Sequence, residues 1–518
     1  MDKSPKVMSL NQLAKRVKQH QAQGQQVVLC HGTFDLLHAG HIHHLQQAKQ
    51  QGDILCVTLT ADAFVNKGPG RPVFDQVIRA EVLAALQVVD YVAINEAVTS
   101  ENVIQMLQPD VYVKGAEYAQ VQEDVTGNIS KEIEEVTTHG GQVVFTDGIT
   151  FSSSHLLNQF FEVFDATTRH YLQSFKQDFS LEQVLTAVSD LSDLKVAVLG
   201  EAIIDEYHYT EPMGQIGKGT ALAVKSLNKE KFAGGAIALA NHIAGFVEEV
   251  ALLTVLGADA SNNEEDFIRQ KLQDNVKPIL SYTPNAPTIH KKRFIAAEMQ
   301  QDRLEGAGEK LFEVYDYHPQ PDLMQAETKL CQWMETQLRH YDAVVVADFG
   351  NGSISEKMIQ TLMQHSPFLA VNTQLNSGNR GYHVITRYPK ADFISLNEPE
   401  LRLATHNRYA PLEDLGQDIL HQLKAQALSI TRGAKGVMNL TEQGKVDSVP
   451  ALATKVVDRI GAGDAYLAIT AILLAKGHPL RLASFIGSVA AALDLQIVCN
   501  REPIDPVLLK KTLITYLK

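Results

Sequence analysis

Short apolar runs recur along this chain, separated by stretches in which apolar residues return at the period of a helix. The first run, Gln26–Cys30, breaks at His31-Gly32; a helical pattern follows over His41–Gln50, and a second apolar run, Ile54–Leu59, comes after Gly52-Asp53. Strand, glycine turn, helix and strand at this spacing predict a βαβ unit with parallel strands. The rhythm continues with a helix near Val77–Leu86, a strand Tyr91–Ile94, a helix near Glu101–Met106, and strands Val111–Lys114 and Gln142–Thr146. Together these predict one α/β domain over residues 1–158.

Residues 159–193 read as mostly helical, with no glycine between Gln159 and Leu199, and predict a helical connector rather than a loose linker. At Lys195–Gly200 the run KVAVLG opens a second α/β series over 194–518. Its predicted strands are Lys195–Gly200, Val250–Val255, Ala343–Ala347, Phe368–Val371, Phe393–Ser395, Ala427–Thr431 and Gly436–Leu440. Helical patterns between most of them predict a largely parallel sheet covered by helices.

Composition narrows the classes. Length alone, at roughly 150 residues per domain, suggests three or four modules, and the patterning reduces this to two. The 45% apolar content excludes wholesale disorder. With 46 Lys and Arg against 60 Asp and Glu, the net charge is −14, which argues against nucleic-acid or anionic-membrane partners but not against small anionic substrates. Cys30, Cys56, Cys331 and Cys499 are far apart, without a CxxC pair, so a disulfide framework or a structural zinc site is not expected. No apolar run approaches the ~20 residues of a membrane span, and the first residues lack the apolar core of a signal peptide. The expected location is the cytoplasm.

The candidate chemistry sits at two strand-to-helix turns. In the first, His31-Gly32-Thr33-Phe34-Asp35-Leu36-Leu37-His38-Ala39-Gly40-His41, backbone amides at a glycine turn and helix start can hold phosphate oxygens. His38 and His41, flanking a glycine, can donate hydrogen bonds to charge building on a transferred phosphoryl group and a pyrophosphate leaving group. A metal cluster of His38, His41, His43 and His44 is the competing reading, but it needs convergent outlying ligands that the sequence does not supply.

GTFDLLHAGH resembles the GxFDxxHxGH signature of the nucleotidyltransferases that include glycerol-3-phosphate cytidylyltransferase, and of the adenylyltransferase half of bifunctional heptose-phosphate enzymes. The resemblance covers roughly Val27 to Leu157 and continues in Arg71-Pro72-Val73, Val113–Tyr118 and Phe151-Ser152-Ser153-Ser154. It implies a Rossmann-like domain in which Gly32, Thr33 and Phe34 line the nucleotide site. Lys67 or Arg71 would neutralise phosphate charge, Lys114 and Gly115 would lie beside the nucleotide, and Ser152, Ser153 and Ser154 would bind its phosphates.

The second turn, Asp458-Arg459-Ile460-Gly461-Ala462-Gly463-Asp464, precedes the apolar helical run Leu467–Leu474. Small residues at a helix start leave amides open to a transferring phosphoryl group, and Asp464 can take the proton of an acceptor hydroxyl. The segment from Leu194 to about Leu513 resembles the ribokinase-like (PfkB) sugar kinases, most closely the heptose-phosphate kinase half of the bifunctional enzymes. The resemblance implies that Gly461, Ala462 and Gly463 form an anion hole with Asp464 as base. Thr431, Gly433 and Gly436 would form the nucleotide-binding turn, and Asn397 and Glu400 would organise Mg²⁺ indirectly. Asp205, Gly234 and Gly235 would bind the sugar. It also implies a small β lid over Glu211–Phe232 and, through that lid, a homodimer.

Three positions depart from that pattern: Arg459 replaces a threonine or serine, Ala238 an asparagine, and Asn351 a lysine. The domain order is also reversed relative to the familiar heptose enzymes. The reading is a bifunctional enzyme of activated-sugar synthesis, using ATP or another NTP and Mg²⁺ on sugar phosphates. In its concrete form it phosphorylates heptose 7-phosphate and makes ADP-heptose from heptose 1-phosphate. Two alternatives stay open: a cytidylyltransferase for glycerol 3-phosphate or another polyol phosphate fused to a kinase of different sugar specificity, or a kinase-like domain that senses rather than phosphorylates.

Overall fold

The computed structural model of the chain describes residues 4–65, 71–115, 128–146, 164–258, 264–284, 286–296, 299–300, 303–304, 308–379 and 381–518. It holds two compact units, Met1–Ala166 with Lys510–Lys518, and Thr167–Leu509. Lys67, Ser152, Ser153 and Ser154 lie outside the described residues.

The first unit is built on five strands: β1 (Val27–Gly32), β2 (Ile54–Thr60), β3 (Tyr91–Asn95), β4 (Val111–Lys114) and β5 (Gln142–Phe145). They are ordered β3-β2-β1-β4-β5, with every neighbouring pair parallel. The predicted strands are therefore all present, with ends that differ by at most two residues. Their unbroken apolar character follows from burial on both faces. Val28, Cys30, Leu55 and Val57 pack with Leu45, Ala48 and Leu83 in one cluster. Val27, Leu29, Cys56 and Tyr112 pack in another with Leu13, Val17, Val103 and Ile104. Leu13 and Val17 come from a helix, Leu10–Ala22, that the sequence reading did not assign; Ser9 and Gln12 start it with a reciprocal cap. Strand order reverses between β1 and β4, so the loops leaving those two strands open a crevice at the carboxyl edge.

In the second unit the strands are β6 (Lys195–Gly200), β7 (Ala202–Gln215), β8 (Leu222–Gly235), β9 (Glu249–Gly257), β10 (Val276–Thr283), β11 (Ile289–Ala296), β12 (Met299–Gln300), β13 (Arg303–Leu304), β14 (Glu309–Asp316), β15 (Ala343–Asp348), β16 (Leu369–Thr373), β17 (Phe393–Asn397), β18 (Ala427–Thr431), β19 (Val437–Thr441) and β20 (Gly444–Val449). Nine of them form one sheet in the order β10-β9-β6-β15-β16-β17-β18-β19-β20. Pairs from β10 through β18 are parallel, and β19 and β20 close one edge antiparallel. Its core joins Val344, Val346, Val371, Ile394, Leu428 and Ile430 to Leu330, Met334, Met358 and Leu362 of two covering helices.

A separate four-stranded sheet, β14-β11-β7-β8, forms the lid. The sequence reading expected this lid between Asp205 and the paired glycines, and β7 and β8 supply that half. The other half, β11 and β14, arrives from 54 or more residues later, and its mixed Lys, Arg and Glu content hides the strand pattern. Helices Ala166–Asp178 and Leu181–Ser189 occupy the glycine-free stretch. The first of them places Tyr171 against Phe485 and Asp447 inside the second unit.

Candidate functional sites at two helix starts

In the first unit, β1 ends at Gly32 and the chain crosses to the helix Ala39–Lys49 through a tight loop. Phe34 and Leu36 take left-handed backbone angles there, φ 50° and 51°. Non-glycine residues hold such angles only where the surroundings over-determine them, and they cluster at functional loops. Buried Asp35 supplies part of that constraint by accepting from the Val73 and Phe74 amides at 2.9 and 3.2 Å. This bond brings the Arg71 segment to the loop. Burial lowers the Arg71 pKa, and its buried Nη2 has no hydrogen-bond partner among the described residues.

His38 caps the helix, its Nδ1 accepting from the Gly40 amide at 3.1 Å. A neutral His38 ring therefore carries its proton on Nε2, and burial favours that neutral form by lowering the pKa. The His41 ring lies 4.0 Å from it, centroid to centroid, with Phe34 edge-on to His41 at 5.7 Å. The structure thus brings His38, His41, Phe34 and the Gly32–Thr33 turn together at a helix N-terminus, where amides and the helix dipole favour anions. Lys114 ends β4, beside β1, and its ammonium pairs with Glu132 at 2.7 Å while lying over the Tyr112 ring. Gly115 follows it at the carboxyl edge of the sheet. His44 Nδ1 and Thr146 Oγ1, 2.9 Å apart, tie the helix to the end of β5.

One residue that sequence reasoning missed organises this loop. Arg79, 2% exposed, donates to Thr33 O at 2.6 Å, Thr60 O at 2.9 Å, Phe74 O at 3.0 Å and Asp62 Oδ1 at 2.5 Å. In the sequence it is an ordinary arginine in a helix with no motif around it.

The second site forms where the helix Ala462–Ala475 begins. Gly461 caps it at φ 102°, and a Cβ there would lie 2.2 Å from Asn500 Oδ1 and 2.7 Å from Asp494 Oδ2. Only glycine suits both the angle and the space. Asp464, in the first turn, is buried, and burial together with the charge of Asp205 pushes its pKa up to about 7. Gln374, just past β16, donates to its Oδ1 at 3.0 Å.

Asp205 lies on β7 and pairs with Arg293 of β11, which also binds Glu313 at 3.0 Å. A Cβ on Gly234 would sit 2.1 Å from Asp205 Oδ2, so the glycine lets β8 close against that carboxylate. Gly235 ends β8 and caps the next helix, Ala236–Ala244. Asp458 links the lid to the helix start, taking Tyr207 OH at 2.6 Å, Lys310 at 3.1 Å and the Arg459 amide at 2.7 Å.

The remaining predicted residues occupy defined positions nearby. Asn397 and Glu400 form a reciprocal cap on the helix Glu398–Ala404, and Glu400 also accepts from the Leu375 amide at 3.1 Å. Burial pushes Glu400 up to about 7. Thr431 ends β18, and Gly433 and Gly436 turn the chain into β19 with φ 57° and 75°. Among the described residues no hydrogen bond joins that turn to Asp464 or Gly461–Gly463. Asn351 is committed within the protein, donating from its amide and Nδ2 to Glu201 at 2.8 and 2.9 Å. Ala238 is buried in the helix after the paired glycines.

A doubly wound α/β sheet with a separate β lid and a Gly-Ala-Gly-Asp helix start defines a sugar-kinase architecture. The family model described as pfkB family carbohydrate kinase matches residues 193–501, and the chain belongs to that family. A second family model, described as cytidylyltransferase-like, matches residues 29–175.

Among curated proteins, the chain is similar to "Bifunctional protein HldE" of Geobacter metallireducens, 40% identical over 152 residues, 28% of this chain and 30% of that protein. It is also similar to "Bifunctional protein HldE" of Helicobacter pylori, 46% identical over 116 residues, 22% of this chain and 24% of that protein. The chain spans less than a third of the length of these curated relatives. Among solved structures, phosphofructokinase-2 from Escherichia coli in complex with potassium is 15% identical, with a TM-score of 0.47 over 62% of this chain and 99% of that one.

Proposed function

We propose that the chain is a bifunctional enzyme of nucleotide-activated sugar synthesis. One unit phosphorylates a sugar or sugar phosphate from ATP; the other transfers a nucleotidyl group to a sugar 1-phosphate and releases pyrophosphate. The observation that carries this reading is the presence, in two separate folded units, of two glycine-bearing helix starts suited to phosphate. One is flanked by paired imidazoles and the other by a buried carboxylate.

In the kinase unit, the Gly461–Gly463 amides hold the transferring phosphoryl group, and Asp464, with Gln374 fixing one oxygen, accepts the proton of the attacking hydroxyl. Asp205 positions the acceptor's hydroxyls, with Gly234 and Gly235 allowing the acceptor close to the backbone. The Thr431–Gly436 turn holds the nucleotide. Both Glu400 oxygens accept backbone amides, from Asn397 at 2.8 Å and Leu375 at 3.1 Å. Asn397 and Glu400 therefore fit Mg²⁺ at one remove, by shaping the loop that meets the metal–phosphate, and not as direct ligands. The ion's contribution is to neutralise phosphate charge.

In the transferase unit, His38 and His41 stabilise charge on the phosphate undergoing transfer, Arg71 and Lys67 neutralise the triphosphate, and Lys114, Gly115 and Ser152–Ser154 border the nucleotide. The resemblance of both motif sets to the bifunctional heptose-phosphate enzymes supports heptose 7-phosphate and heptose 1-phosphate as acceptors and ATP as the nucleotide donor. The commitment of Asn351 to Glu201 and the burial of Ala238 favour a second reading in which the kinase takes a different sugar. We place the enzyme in the cytoplasm as a homodimer, a state supported by Met213, Ile216 and Leu222, exposed by 68%, 44% and 43% around the lid hairpin.

The test is mass spectrometry of products from the full chain given mixed NTPs and a sugar-phosphate library. Pyrophosphate release lost in His41→Ala, and ADP formation lost in Asp464→Asn, are the expected results. Unchanged release in His41→Ala overturns the transferase site, and unchanged ADP formation in Asp464→Asn overturns the kinase site.

A further inference from the structure

Asp458 stands at the foot of the Gly461–Gly463 helix start and draws its donors from three separate parts of the chain. Its Oδ1 accepts from the Arg459 and Ile460 amides at 2.7 and 3.3 Å, the last two before Gly461. Its Oδ2 accepts from the Cys499 amide at 3.1 Å, and Asn500, the next residue, fills with its Oδ1 the space that a Gly461 side chain would need. The other two donors come from the lid: Tyr207 OH on β7 at 2.6 Å and the Lys310 ammonium on β14 at 3.1 Å. Around this junction Tyr207, Tyr209, Phe232 and Ile295 of the lid pack with Cys499 and Ile460.

The Asp458 side chain is buried, and burial by itself would push its pKa up. Tyr207, Lys310 and the Ile460 amide together hold it below the usual carboxylate range, so the group is ionised at neutral pH. Two more acids face the same helix start. Asp464 lies in its first turn, and Asp494, with Oδ2 against Gly461, is pushed up to about 8 by burial and by the charges of Asp464 and Asp458. A helix start that is to hold a phosphoryl group needs positive potential, and an ionised carboxylate at its foot works against it. The Lys310 ammonium offsets that charge at contact distance. Lys291, on the same lid, acts on Asp464 instead, where it favours the ionised base.

We propose that Tyr207 and Lys310 are positioning residues for phosphoryl transfer: acting through Asp458, they hold the loop that presents the Gly461–Gly463 amides and offset the carboxylate charge that would repel the phosphoryl group. This role rests on the kinase reading above and adds to it that the lid completes the anion hole as well as holding the acceptor. Asp205 and Tyr207 are two residues apart on β7 and so share one face of the lid. Asp205 serves the acceptor in that reading, and Tyr207 serves the helix start. Arg293 spans the two, binding Asp205 and lying 5.8 Å from the Tyr207 ring centroid. Removing either lid donor leaves a buried carboxylate short of a partner, and the strain falls on the loop that Asp458 holds. Among the described residues no hydrogen bond joins Asp458 to the Thr431–Gly436 turn, so the nucleotide's own turn is left as it was.

Two measurements on the full chain test this. The Lys310 side chain is 33% exposed, so Lys310→Met removes a charge without opening the core; Tyr207→Phe removes only the hydroxyl. Hydrogen exchange read by mass spectrometry needs no ligand: in both variants the peptide spanning Arg459–Asp464 is expected to exchange about fivefold faster, and the Thr431–Gly436 peptide at the parent's rate. In ADP formation from ATP, with the acceptor that the product screen above identifies, both variants are expected to lower kcat about tenfold with KM for ATP unchanged, and Lys310→Arg to recover most of the loss. Parent-like exchange at Arg459–Asp464 in both variants, an unchanged kcat, a KM for ATP that rises as much as kcat falls, or a loss that Lys310→Arg does not recover overturns the proposal. Failure of the kinase reading is seen separately, as ADP formation that is absent from the parent or survives Asp464→Asn. The exchange result then still decides whether the lid holds the loop.

Discussion

Burial makes Asp464 a usable base near neutrality. An exposed aspartate ionises near 3.9 and is a weak proton acceptor at pH 7; here burial and the neighbouring Asp205 push Asp464 to about 7. Only the ionised form accepts a proton, so kinase kcat/KM is expected to fall about tenfold per pH unit below the inflection and to level off above it. Gln374 donates to the carboxylate and so favours ionisation. Gln374→Met should move the inflection upward, and a pH–rate profile of both proteins checks it; an inflection that stays put or moves down would remove Gln374 from the site. Asp464, His38 and His41 were candidates in the sequence because each stands in a motif whose spacing has a chemical meaning. Gln374, Lys291, Asp458 and Arg79 were not. A single polar residue in a strand or helix reads like a solvated one until the fold buries it.

At the scale of elements, both sites depend on a helix start held in an unusual backbone. Gly461→Ala forces a left-handed residue and places a methyl group against Asn500 and Asp494. It should cost about 1–3 kcal/mol of stability and most of the kinase activity, read as urea midpoint and ADP formation. Arg79 serves the other site by bridging the β1 loop, the end of β2 and the Asp62 and Phe74 segments. Arg79→Met leaves buried carbonyls unpaired and should cost on the order of 3 kcal/mol, with pyrophosphate release falling alongside. A variant as stable and active as the parent would show that the loop holds itself. The strands of both large sheets were legible because two-sided burial writes continuous apolar runs. The lid was half legible: the β7–β8 hairpin is local, whereas β11 and β14 join it through non-local pairing that leaves no short-range signal.

For the whole molecule, each unit carries its own core and its own helix-start site. Sites that share no partners behave additively. Asp464→Asn should therefore leave pyrophosphate release within about twofold of the parent, and His41→Ala should do the same for ADP formation. Assays of both activities on both variants check this, and loss of both activities in either variant would mean that the sites are coupled. The net charge of −14 is compatible with polyphosphate substrates on this plan. Helix amides and a few partly buried cations, Arg71 and Lys291 among them, provide local attraction inside an acidic protein.

The amino-acid sequence by itself determined the two α/β sheets, most of their strands, and the two glycine-bearing turns at helix starts proposed for phosphate chemistry. Apolar periodicity and glycine–histidine or glycine–aspartate spacing are local properties, readable without a fold. Tertiary structure alone decided which charges are buried and which carboxylates are already engaged. Asp205, Lys291, Gln374 and Asp464 are separated by up to 259 residues in the chain, and their shared electrostatics exist only once the lid and the sheet exclude water around them.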